Sequence, residues 1–176
     1  MTGIFRVIAF AVLIYAAWAV FRSGAAAYQR HEARKAVAAS LDALPEAQRR
    51  PAVLALYLGY YWGNVLMIPA LCHEKGVDLD GYADAFKERY DTEHEQVRQA
   101  YAKLGGSERP IREAARSDPA FRAAFTKKLI DTESLFHRGD ALTDRCREVA
   151  DKQQKVIETM SFRDLMPYPW QLTGLP

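Results

Sequence analysis

Residues 51–72 read PAVLALYLGYYWGNVLMIPALC, a stretch without a single charged side chain. It is long enough to cross a bilayer, and equally suited to form the central helix of a folded core. Its polar aromatics favour the core. Tyr57, Tyr60, Tyr61, Trp62 and Asn64 crowd its middle, where a bilayer has no water for their polar atoms, and Pro69 interrupts its last turn. Gly59 and Gly63 form a G-x-x-x-G that admits a closely packed neighbouring helix, whether in lipid or in protein. The expectation is therefore a buried helix over 51–74, with a second membrane span as the competing reading.

Around that helix the chain reads as helical throughout. Leu, Ala, Glu, Lys, Arg and Gln are abundant, β-branched residues are sparse, and the eight prolines fall mostly at apparent helix boundaries. Tyr82, Phe86, Tyr90, His94, Val97, Tyr101 and Leu104 recur at spacings of three and four, an apolar stripe over 80–104 that Gly105 and Gly106 end. Ser117-Asp118-Pro119 is a helix start signal, followed by Phe121, Phe125, Leu129 and Phe136 over 119–138. A last long helix is expected over 141–160, carried by Leu142, Cys146, Val149, Gln153, Val156 and Met160. Short connections between these four helices predict an antiparallel, four-helix-type bundle, so the fold class is all-α with an N-terminal membrane or signal helix. The expected division is an anchor or signal at 1–22, a basic helical stalk or linker at 23–50, the bundle at 51–160, and an extended Pro/aromatic tail at 161–176.

The N-terminal segment is IFRVIAFAVLIYAAWAVF, residues 4–21, with Arg6 as its one charge. It fits a retained membrane anchor. The alternative is a cleaved signal peptide ending at Ala25-Ala26-Ala27, which would leave a soluble periplasmic or secreted protein. Residues 22–50 carry six Lys/Arg against three Asp/Glu, and residues 73–104 carry five against eight. A basic segment beside an apolar one suits anionic headgroups, and no aromatic-plus-basic motif points to nucleic acid. The bilayer, through residues 4–21, and a protein are the expected partners.

Antiparallel helices would bring Cys72, at the end of the first bundle helix, beside Cys146, near the start of the fourth. A disulfide between them is expected, and with it an oxidising compartment such as a bacterial periplasm, the domain hanging from the inner membrane. In this topology the amino end of 51–72 and the tail lie on the membrane side, so that Tyr168 and Trp170 are candidates for a lipid-interface or partner contact; the other reading folds the tail over its own bundle.

No catalytic signature is present: H-E-x-x-H, G-x-S-x-G, a P-loop and C-x-x-C are all missing. The candidate chemistry is positional. His73 and Glu74, with Glu133, His137 and Asp140, cluster at the far cap of the expected bundle, where His73, Glu133 and His137 could ligate a divalent metal. His94 on the apolar stripe is better read as a hydrogen-bonded core histidine. No cofactor is expected. The function expected is a membrane-tethered, exported, non-enzymatic binding or accessory subunit of an envelope or secretion complex; a metal-binding enzyme or sensor is the alternative.

Overall fold

The computed structural model describes residues 23–123, 126 and 140–176, with side chains from residue 31 onward. The expected anchor at 4–21, Phe125, and most of the expected helix over 119–138, including Glu133 and His137, lie outside the described residues. Every regular element among the described residues is helical. These are α1 (Ser23–Asp42), α2 (Glu46–Trp62), a π-helical turn (Gly63–Met67), α3 (Ile68–His73), α4 (Asp80–Lys103), α5 (Arg109–Ser117), α6 (Ala141–Asp151), α7 (Gln153–Glu158), α8 (Phe162–Leu165) and α9 (Pro167–Thr173).

The apolar stretch forms the axis of this core. Helix α2, the π turn and α3 run on as one helical rod, Glu46–His73, the one candidate among the described residues that is long and apolar enough to cross a membrane. Of its most apolar eighteen residues, 83% are buried by the rest of the protein. From Val53 to Tyr61 every side chain is covered, as are both Gly59 and Gly63. Such all-round burial explains why the stretch carries no charge.

The rod starts five residues earlier than its apolar pattern suggests, so Pro51 falls inside α2 rather than in its first turn. Its missing N–H costs one bond near the solvent-facing start of the helix, where the loss is smallest. Arg49, from the same turn, donates to the carbonyls of Leu44 (3.1 Å) and Asp42 (2.9 Å) and so caps the end of α1.

Helix α1 lies against the core. Val37 and Leu41 are fully buried and belong to the main apolar cluster. Helix α4 returns along the rod after a turn at Gly76, whose φ of +73° suits a residue without Cβ. Its buried stripe is Tyr82, Phe86, Tyr90 and Val97, four of the seven expected positions; Tyr101 is half-buried and Leu104 is 46% exposed. The helix expected over 141–160 divides at Lys152, whose φ of −124° leaves the helical region, into α6 and α7.

The tail corrects the expectation of an extended segment. Residues 161–176 form two short helices, and Phe162, Leu165, Met166 and Trp170 are buried. Phe162 sits 5.4 Å, ring to ring, from both Tyr57 and Tyr60, and Trp170 packs 6.1 Å from Tyr57. Proline here begins a helix instead of preventing one, since Pro167 occupies its first turn. Ser161 accepts from the N–H of Asp164, and Gly174, with φ +66°, ends α9.

Candidate functional site

The polar groups of the core fall into three places. Deepest is a set of tyrosines around Asn64, which the π turn carries into the interior. The Asn64 amide donates to the Tyr60 carbonyl at 2.9 Å and accepts the Tyr82 hydroxyl at 2.8 Å. Tyr60 donates to the Met160 carbonyl (2.5 Å) and Tyr90 to that of Ile157 (2.7 Å), so both hydroxyls fasten the end of α7 to the rod and α4. Burial pushes all of these phenols up, Tyr90 to about 12, and Tyr60 and Tyr82 further. They stay neutral and act as hydrogen-bond donors.

The second place lies beside Tyr61 and its neighbour in the helix, Tyr57. His94 stacks on the Tyr61 ring at 3.8 Å, nearly parallel, and its Nε2 lies 2.5 Å from Oε1 of Glu108. The same oxygen accepts the Trp62 indole N–H at 2.7 Å, while Arg112 covers the Trp62 ring at 5.5 Å. Burial opposes ionisation of Glu108, but the His94 and Trp62 hydrogen bonds outweigh it and hold the carboxyl below its ordinary value. Around the helix from His94, Glu93 behaves in the opposite way. Burial raises it, and the hydrogen bond from Tyr57 and the nearby Arg163 only partly offset that. His94 is thus a hydrogen-bonded histidine, as its position on the stripe suggested. Its partners Trp62 and Glu108 are far away in sequence and had no local signal to reveal them.

The third place is the end of the rod. Cys72 and Cys146 are bonded (S–S 2.01 Å, Cα–Cα 5.3 Å), and both are buried. Two surface ion pairs flank them: Lys75 with Asp140 at 2.7 Å, and Arg122 with Glu74. Asp140 also caps α6 by accepting from the N–H groups of Leu142 and Thr143, and the hydrogen bond from Lys75 holds its carboxyl low. Of the proposed metal ligands, only His73 is among the described residues, exposed at the end of α3. Among those residues, no group of three or more His, Cys, Asp and Glu side chains could hold a metal ion.

Trp170 and Tyr168, the expected interface pair, are placed differently from one another. Trp170 is 5% exposed, with Arg163 over its ring at 4.8 Å. Tyr168 is 36% exposed and donates to Asp42 at the end of α1. At the opposite end of the rod from the disulfide, Arg50, Gln96, Gln99, Ala100, Lys103, Leu104 and Leu175 line an open groove of about 240 Å³.

Comparison with protein-family models, with curated proteins and with solved structures finds no match.

Proposed function

We propose that this protein is a membrane-tethered helical domain, held by residues 4–21 and exposed on the exported side, that serves as a non-enzymatic binding or accessory subunit of an envelope or secretion complex. The observation that carries this reading is the Cys72–Cys146 disulfide. It joins α3 to α6 across 74 positions of sequence, and such bonds persist where the surroundings are oxidising. An apolar segment at 4–21 supplies a route to that space. The half-buried histidine and carboxylates are engaged in bonds between helices, an arrangement that supports a scaffold for binding over a reaction centre.

Fractionation of cells producing the full chain, with thiol counting before lysis, tests the reading. The expected result is protein in the membrane fraction, resistant to carbonate and released by detergent, with no thiol free to react. A soluble cytosolic protein with two reactive thiols overturns it. Crosslinking in intact cells should then capture a second protein, and repeated recovery of the bait alone would count against an accessory role.

A further inference from the structure

We infer that the domain hangs with its disulfide end toward the bilayer and its Arg50–Lys103 groove toward the aqueous side, the reverse of what a projecting stalk at 23–50 would give. The inference rests on the tether of the proposed function, and the course of α1 decides it.

Residue 21, the last of the apolar segment, is two peptide units and so about 8 Å of chain from Ser23, where α1 begins. The bilayer therefore lies near the amino end of α1. A link of three residues, 43–45, joins α1 to α2, the two helices touch, and Val37 and Leu41 enter the same core cluster as Val53 and Leu54, so the two run antiparallel. Side-chain contacts set their register. Arg34 donates to the carbonyls of Leu165 (2.7 Å) and Asp164 (2.8 Å) in α8, and Phe162 of that helix packs on Tyr57 and Tyr60. Arg34 is accordingly level with the middle of α2, and the start of α1 lies further toward the disulfide.

At 1.5 Å per residue α1 spans about 30 Å and the Glu46–His73 rod about 42 Å, so the rod's end reaches at least as far toward the bilayer as the start of α1 does. Helix α4 then departs from that end and finishes beside Arg50, since Gln96, Gln99 and Lys103 share the groove with it. The disulfide end is thus the membrane-near face, and the groove with its exposed Leu104 faces water. The ion pairs Lys75–Asp140 and Arg122–Glu74 lie on the near face, and its proximity to the bilayer follows from the tether alone.

Helix α4 provides a ruler about 36 Å long with both ends exposed. The full chain, its native disulfide kept oxidised, is labelled with one fluorophore at Asp80→Cys or at Lys103→Cys and reconstituted into phosphatidylcholine vesicles carrying a headgroup quencher. Quenching at position 80 should exceed that at position 103 at least threefold, with no change when anionic lipid is added. Equal quenching, or stronger quenching at position 103, in protein that floats with the vesicles overturns the orientation while leaving the tether standing. Protein that fails to float overturns the tether and the orientation together. Matching far-ultraviolet circular dichroism of the two variants confirms that both ends are compared in the same fold.

Discussion

Two of the attachments that the described residues of the last third of the chain make to the Glu46–His73 rod differ in kind. At the rod's end the Cys72–Cys146 bond and the exposed Lys75–Asp140 pair hold α6, and a second exposed pair, Arg122–Glu74, holds residue 122. At its middle, rings do the holding: Phe162 and Trp170 pack on Tyr57 and Tyr60, and the Tyr60 and Tyr90 hydroxyls take the carbonyls that end α7. The first attachment depends on redox state and acts largely by restricting the unfolded chain. The second depends on apolar burial and on desolvated hydrogen bonds, which are insensitive to reductant and salt. A domain attached both ways is expected to keep its middle when its end is released.

Removing the middle attachment should cost most. Phe162→Ala takes a fully buried ring from between two tyrosines and is expected to lower unfolding stability by about 3–5 kcal/mol in denaturant titration. An effect as small as that of a surface substitution would show that the tail is not part of the core.

Next comes the bond at the end of the rod. Reduction, or the double change Cys72→Ser and Cys146→Ser, should cost about 4 kcal/mol in the chain-entropy treatment while leaving near-ultraviolet signals of the aromatic middle intact. Loss of both together would show the two attachments to be one cooperative unit.

Within the middle, Tyr82→Phe deletes the hydroxyl that Asn64 accepts and is expected to cost about 1–3 kcal/mol, measured by the same titration.

Two carboxyls make the stability depend on pH in opposite directions. Glu108 is held below its ordinary value, so its bonds to His94 and Trp62 favour folding above that value, about 4.3, and the benefit is lost as pH falls below it. Glu93 is raised, so it favours folding when protonated, and its contribution is lost as pH rises from the ordinary value through the raised one. Thermal unfolding across the acid range should therefore show Glu108→Gln flattening the acid-side loss and Glu93→Gln flattening a change of opposite sign. Parallel shifts in both variants would remove the assignment.

Least affected should be Lys75→Ala. Its pairing with Asp140 is exposed, and the melting temperature is expected to stay within experimental scatter of the parent.

The rod was legible because absence of charge over so many positions, together with polar aromatics, is consistent with burial on all sides. The disulfide was legible for a related reason: the expected alternation of helices joined by short links puts Cys72 and Cys146 at one end, and the two are bonded, although most of the third helix of that alternation lies outside the described residues. The tail was less legible. Pro167 and Pro169 suggested extension, although Ser161, Pro167 and Gly174 are the start and stop signals of short helices. Those signals are weak because helices of four and seven residues have little stability of their own and form only against a surface.

By itself the amino-acid sequence determined the helical class, the core role of residues 51–72 and most of the stripe on α4, since periodicity and composition act through neighbours three or four positions apart. Tertiary structure alone decided that Glu108 meets His94 and Trp62, that Trp170 turns inward, and which end of the rod α1 starts from. Those contacts join residues from 14 to more than 100 positions apart, and only packing, which no local pattern encodes, brings them together.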